Sequence, residues 1–331
     1  MRNNLKTYTK EIAFLVLFAS EFTFYLLILQ TGIVEYHNSV MSEIWMVPVG
    51  GIIGIVISVF LYKERDWFIP LLLLVQLLLS LNYADSSRFE LFGFGLISGL
   101  TAPILIARVK YFWVVVVALA FSYSYGTIYF DTVAEDRGGI ALFLSATALL
   151  TSLFANMKEE KRHIELISIF SVGSIFLWLL LDASLFETLS RDGMMRIWGE
   201  GAFTYNIIIF HIIGLIVAYR AKDSRYNDII LLFLFIVTYT LYSFEWQLAI
   251  SIVYPFVISY YNVIILRALA YLPYTLLAIM ALSLWGASGL GLLIALSGEF
   301  TIAWGILLVL AIINLYKIIP IPLRTSISRS L

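Results

Sequence analysis

The chain has 331 residues, of which 61% are apolar, 16% aromatic and only 13% charged, with a formal net charge of −1 and a mean hydropathy of +0.94. Soluble domains sit near half apolar and a quarter charged, so this composition points to lipid and leaves no basic excess for a nucleic-acid partner. The chain has no cysteine, which excludes disulfides, thiolate metal sites and cysteine nucleophiles.

Apolar runs of bilayer-crossing length, about 20 residues each, recur along the chain. They predict spans over 12–33, 43–62, 67–83, 91–107, 111–130, 139–157, 165–189, 201–219, 228–243, 246–266, 270–286 and 298–317. The weakest boundaries lie between 228 and 298, where the Gly-rich stretch 286–291 could belong to a helix. Strand-like alternation is absent, so the expected fold is an all-α integral membrane protein of about twelve transmembrane helices, not a barrel.

Arg2, Lys6 and Lys10 precede the first run, which has no Ala-x-Ala-like cleavage site and reads as a span, not a signal peptide. Within it stands Glu21, about 15 Å along the helix and so near mid-membrane. An ionisable group there is costly unless it faces a cavity or a partner, and no basic residue lies at its depth in these spans. Glu21 therefore reads as a proton- or cation-coupling carboxylate, with structural glue between helices as the alternative.

The second and fourth runs carry Gly50-Gly51-x-x-Gly54 and Gly93-x-Gly95-x-x-x-Gly99, small-residue faces suited to close helix packing. Between the second and third runs lies Lys63-Glu64-Arg65-Asp66. In the fifth, Tyr123, Tyr125 and Tyr129 are aromatic candidates for a site. Lys158-Glu159-Glu160-Lys161-Arg162 reads as a solvated link at 158–164 between an N-terminal bundle, 1–157, and a C-terminal bundle, 165–331.

The seventh run holds Trp178, a further aromatic candidate, and Asp182, with Glu187 about a turn beyond. Asp182 either partners Glu21 in one cavity or belongs to a solvated outer mouth with Glu187, Arg191, Asp192 and Arg196; for Glu187 the mouth is the preferred reading. His211, central in the eighth run, is read first as a hydrogen-bonded packing residue and second as a proton relay. With His37 and His163 in loops, three scattered histidines cannot build a di-iron or bis-haem site, which argues against a membrane oxygenase or desaturase.

The tenth run crowds Gln247, Tyr254, Ser259, Tyr260, Tyr261 and Asn262 onto one helix, with Pro255 inside it and Pro273 just beyond. Tyr254 and Tyr261, seven apart, share a face, with Gln247 a further turn pair away. Gln247, Tyr254, Tyr261 and Asn262 are thus either a substrate platform of rings and hydroxyls or a packed polar seam.

Charge sets the orientation. With the N-terminus inside, only Arg88, Arg137, Arg191 and Arg196 of the 21 basic residues fall outside. That bias expects both termini in the cytoplasm of a cell (inner) membrane. Several features recur about half a chain apart: Lys63 with Lys222, Ile52-Ile53-Gly54 with Ile212-Ile213-Gly214, Arg108 with Arg267, and Glu21 with Asp182. The chain therefore reads as two parallel six-helix pseudo-repeats.

Six plus six helices, parallel halves and a charged connection after helices 2 and 8 resemble the major facilitator superfamily. Lys63-Glu64-Arg65-Asp66 and Lys222-Asp223-Ser224-Arg225 keep the charges of that family's loop motif and lack its glycines. The resemblance implies that helices 1, 4, 7 and 10 line a cavity and that rocking of the halves gives alternating access.

The expected function is secondary transport of a small solute, proton- or cation-coupled, by a monomer in lipid, with no cofactor. No Walker motif supports an ATP-driven pump. Buried acids without mid-depth lysine or arginine favour a cationic, zwitterionic or neutral cargo over an anion. The competing classes are a membrane-embedded enzyme or accessory subunit acting on lipid or isoprenoid, and a non-catalytic partner in a membrane assembly.

Overall fold

The computed structural model describes residues 2–33, 45–62, 67–155, 169–199, 201–221 and 226–318. The charged segments 63–66 and 222–225 and the link 158–164 lie outside these residues. Twelve α-helices and no strand are found among the described residues: α1 (Arg2–Thr23, continued as a wider π-helix over Phe24–Ile33), α2 (Met46–Leu61), α3 (Phe68–Ser80), α4 (Arg88–Ala107), α5 (Phe112–Ile128) and α6 (Ala134–Ser152), then α7 (Ile169–Arg191), α8 (Thr204–Arg220), α9 (Tyr226–Ser243), α10 (Gln247–Ala270), α11 (Tyr274–Ser297) and α12 (Phe300–Ile318).

Among the described residues six helices are long and apolar enough to cross a membrane: α1 with its extension, α4, α7, α9, α10 and α11. Helices α2, α3, α5, α8 and α12 are apolar but shorter, and α6 begins with Glu135, Asp136 and Arg137. The outer faces present Phe60, Phe143, Phe233 and Leu308, each well exposed. Such a surface is unfavourable in water and suited to acyl chains. Polar groups turn inward instead. Buried Ser58, Ser122 and Thr238 donate to carbonyls three or four residues back on their own helices, which satisfies them where no water is present.

Three boundaries depart from the sequence expectation. Helix α11 runs through the Gly-rich stretch 286–291 to Ser297, well past the expected end at 286, and stops at Gly298 in the left-handed conformation (φ 67°). Glycine weakens a helix in water, but in lipid the backbone has no competing donor or acceptor. Helix α3 ends at Ser80, after which a short 3₁₀ turn covers Tyr83–Asp85. Helix α6 starts at Ala134 and draws Arg137, expected in an outer loop, to 0% exposure.

That arginine serves the π-helical segment of α1. A π turn re-aims backbone carbonyls that an α-helix would pair. Arg137 Nη1 donates to Leu27 O at 2.6 Å and to Thr31 Oγ1 at 3.1 Å, and Tyr83 Oη donates to Ile28 O at 2.8 Å.

The most extensively packed helix pairs correspond between the first six helices and the last six. In the first six these are α1 with α5 and α6, α2 with α4, and α3 with α4 and α6. In the last six they are α7 with α11 and α12, α8 with α10, and α9 with α10 and α12. Across the middle, α2 and α4 meet α11, and α8 and α10 meet α5.

Glycine sets the closest crossings. A Cβ on Gly95 would sit 2.0 Å from Val47 O, one on Gly99 2.1 Å from Gly51 O, and one on Gly54 2.2 Å from Leu96 O. In the second half a Cβ on Gly214 would sit 2.6 Å from Phe256 O. Only a missing side chain lets these backbones approach so closely.

Candidate functional site

A cavity of about 260 Å³ lies where the two sets of six helices meet. Helices α1, α4 and α5 wall one side and α7, α10 and α11 the other, with His211 of α8 and Trp198 of the α7–α8 loop completing it. Glu21, Asp182, His211, Tyr261 and Asn262 all line this space.

Glu21 is held from one side only. Gln76 Nε2 of α3 donates to Glu21 Oε1 at 2.8 Å, and Thr101 Oγ1 of α4 lies 3.5 Å from Oε2. Thr101 directs its hydroxyl better at Ile97 O, 2.9 Å away. Gln76 also reaches Ser145 Oγ at 3.4 Å, and Ser80 Oγ and Ser145 Oγ are 3.1 Å apart. The carboxylate thus caps a buried chain of neutral groups and remains partly accessible from the cavity.

Asp182 is more tightly held. Tyr254 Oη lies 3.0 Å from both Asp182 Oδ1 and the Asp182 carbonyl, and Tyr261 Oη donates a short hydrogen bond to Oδ2. Tyr239 of α9 donates to the neighbouring Leu181 O at 2.8 Å. The seven-residue spacing on α10 therefore puts two hydroxyls on one carboxylate. No lysine or arginine among the described residues pairs with Glu21 or Asp182, and none lines the cavity.

His211 Nδ1 is 2.8 Å from Ser259 Oγ, and its ring stacks on Tyr123 at 4.4 Å and 16°. It touches neither carboxylate, which fits the packing reading, and its stack joins α8 to α5. Asn262 Nδ2 donates to Ile258 O at 3.0 Å.

The other sequence candidates stand back from the cavity. Tyr254 is fully buried behind Asp182. Trp178 stacks on Phe235 of α9 at 5.4 Å, in the core. Tyr125 is two residues from the cavity-lining Tyr123, hence on the opposite face of α5, where it meets the Tyr129 ring at 4.5 Å. Gln247, at the first turn of α10, donates to Arg196 O at 2.7 Å and holds a loop. Conversely, the sequence reading passed over Gln76, Thr101, Tyr25 and Trp285. Gln76 had a usable signal, being the lone amide in a Leu- and Val-rich run; Trp285 had none.

Both ends of the cavity are bridged between the two sets of helices. At one, Arg196 pairs closely with Asp131 of the α5–α6 turn, and Arg196 Nε donates to Trp198 O at 2.8 Å. Trp198 packs on Phe130 at 5.8 Å and on Phe186 at 5.0 Å. Gly199 has φ +97°, and a Cβ there would lie 2.1 Å from Asp131 Oδ1, so the loop closes only with glycine at this point. Glu187, expected in solvent, is buried and paired with Arg191 at 3.5 Å. At the other end Tyr62 and Tyr274 stack at 3.6 Å and 9°. There Arg267 donates to Ala218 O, Tyr219 O and Ala221 O and lies 5.1 Å from the Phe112 ring centroid.

No protein-family model and no curated protein sequence matches this chain. Among solved structures it is similar to the human organic anion transporter MFSD10 (TETRAN), with a TM-score of 0.60 and 15% identity over 94% of this chain and 98% of that one. The fold is thus major-facilitator-like.

Proposed function

We propose that the chain is a secondary active transporter in which two six-helix halves, 1–157 and 165–331, rock about the central cavity, with Glu21 coupling movement to a proton or cation. The observation that carries this reading is the pair of carboxylates, Glu21 and Asp182, on one interior cavity, with only neutral partners among the described residues. A buried carboxylate without a countercharge is costly when ionised and favours a bound proton or cation. That makes proton binding and cation binding competitive, so that one drives release of the other, the minimum chemistry of exchange. On this reading twelve spans cross the membrane, both termini lie in the cytoplasm, and the Asp131–Arg196 bridge closes the outer end.

Several pairs support descent of the two halves from a duplication. Gly54 meets Leu96 O and Gly214 meets Phe256 O; from 54 to 214 and from 96 to 256 the step is 160 in both cases. Glu21 faces Thr101 and Asp182 faces Tyr261, again an acid on the first helix of a half and a hydroxyl on the fourth. Arg108 and Arg267 stand at the ends of α4 and α10.

The MFSD10 fold supports transport as the class. The organic anions in that protein's name do not suit this cavity, because an anion would want a positive clamp. Cationic, zwitterionic or neutral cargo does. The test is a proteoliposome assay with a trapped pH-sensitive dye, an imposed pH gradient, and a panel of radiolabelled amines, amino acids and sugars. Wild type should couple proton flux to uptake of at least one solute. Glu21→Gln should fold normally and lose the pH dependence. Absence of proton-coupled uptake for all three solute classes, or unchanged pH dependence in the variant, would refute the proposal.

A further inference from the structure

We infer that the cavity accepts a small amphipathic organic cation, with its charge at the Glu21 carboxylate and its apolar body between aromatic walls. The inference deepens the transport reading and rests on it only for the step of movement; the binding chemistry stands on its own.

The charge argument separates the two acids. Both carboxylate oxygens of Asp182 already accept tyrosine hydroxyls, so a ligand there would have to displace them. Glu21 has one good donor, the uncharged Gln76 amide, and opens into the cavity. A ligand cation would supply the countercharge that no side chain among the described residues provides, and the low-dielectric walls would strengthen the pairing.

The second argument distinguishes an organic cation from a bare metal ion. A hard ion such as sodium, magnesium or calcium needs several converging oxygens. Among the described residues the oxygens that converge at this point are the two of Glu21 and Thr101 Oγ1, 3.5 Å from Oε2, fewer than such an ion collects. The remaining walls are apolar, with rings set among leucine, isoleucine and alanine side chains. Phe22, Tyr25, Tyr123 and Trp285 line the space, with Tyr25 and Trp285 in edge-to-face contact at 5.9 Å. Aromatic faces attract weakly hydrated organic cations, quaternary ammonium groups above all. A volume of about 260 Å³ lies at the small end for ligand pockets and suits a cation of one or two rings.

The test uses the full-length purified protein and three probes of one shape: 1-methyl-4-phenylpyridinium (cation), 4-phenylpyridine N-oxide (neutral) and biphenyl-4-carboxylate (anion). Binding is read from tryptophan fluorescence and by calorimetry. The cation should bind at least about tenfold more tightly than either analogue. Glu21→Gln should abolish that preference, Glu21→Asp should restore part of it, and Trp285→Leu should weaken the cation alone; thermal melting checks the fold of each variant. Equal or tighter binding of the neutral or anionic probe overturns the inference, as does no binding of any probe or a preference that survives in Glu21→Gln. Cation-selective binding without uptake into vesicles would overturn transport and leave this inference standing. Uptake of a neutral solute with no cation preference would do the reverse.

Discussion

At the scale of single residues, the two acids of the cavity have different surroundings and should respond differently to substitution. Asp182 organises α7 against α10 through Tyr254 and Tyr261. Tyr254→Phe removes one buried hydrogen bond to a carboxylate and should lower stability by about 1–3 kcal/mol, measured by thermal unfolding in detergent. Tyr125→Phe, on the far face of α5 where the half-buried hydroxyl meets Tyr129, should lower the melting temperature less. Removing the amide beside Glu21 is the complementary case. Gln76→Leu leaves that carboxylate without its good donor, so cation binding should change while the α7–α10 contact does not. Equal effects of Gln76→Leu and Tyr254→Phe on both readouts would contradict this division. Glu21 and Asp182 were legible because an acid in an apolar run is conspicuous and expensive. Tyr254 and Tyr261 were legible as a shared helical face, but not as partners of Asp182, because helical phase says nothing about which neighbouring helix is met. Trp285 and Tyr25 were hidden among the many rings that a membrane protein needs for core and interface.

At the scale of helices, the glycine crossings fix how near α2 and α4 can lie. Gly95→Ala places a methyl carbon against the Val47 carbonyl, only 2.0 Å away, and the helices must separate. The overpacking should cost about 1–3 kcal/mol, again read as a fall in melting temperature. Gly126→Ala is the control, since nothing lies within 4 Å of a Cβ there; an equal fall in both would contradict the packing account. The spacing of Gly50, Gly51 and Gly54 and of Gly95 and Gly99 made two close-packing faces readable in advance, because close backbone approach tolerates no side chain, but not that these faces meet each other. The course of α11 was not readable. Glycines at 286, 289 and 291 look like a break, yet Gly291 instead admits Ala183 of α7, whose Cβ would lie 2.6 Å from an added one. The π-helical end of α1 likewise depends on Arg137 and Tyr83, both remote in sequence.

At the scale of the molecule, the two sets of helices touch around the cavity through Asp131–Arg196 at one end and through Tyr62–Tyr274 and Arg267–Phe112 at the other. Alternating access requires that these ends open in turn. The chain has no cysteine, so engineered thiols have no background. Tyr62→Cys with Tyr274→Cys, joined by a short crosslinker, should stop uptake in vesicles, and reduction of a cleavable linker should restore it; full uptake by the crosslinked protein would contradict the role given to that end. The central claim, that the halves rock about the cavity with Glu21 coupling the movement, is tested most directly by electron–electron distance measurement. Spin labels go on exposed Phe89 and Leu248 near one end, and on exposed Phe154 and Tyr316 near the other. In lipid nanodiscs, the account predicts that Glu21→Gln shifts the two distance distributions in opposite directions relative to wild type, one pair lengthening as the other shortens. Distributions that stay fixed, or that lengthen together, would contradict it.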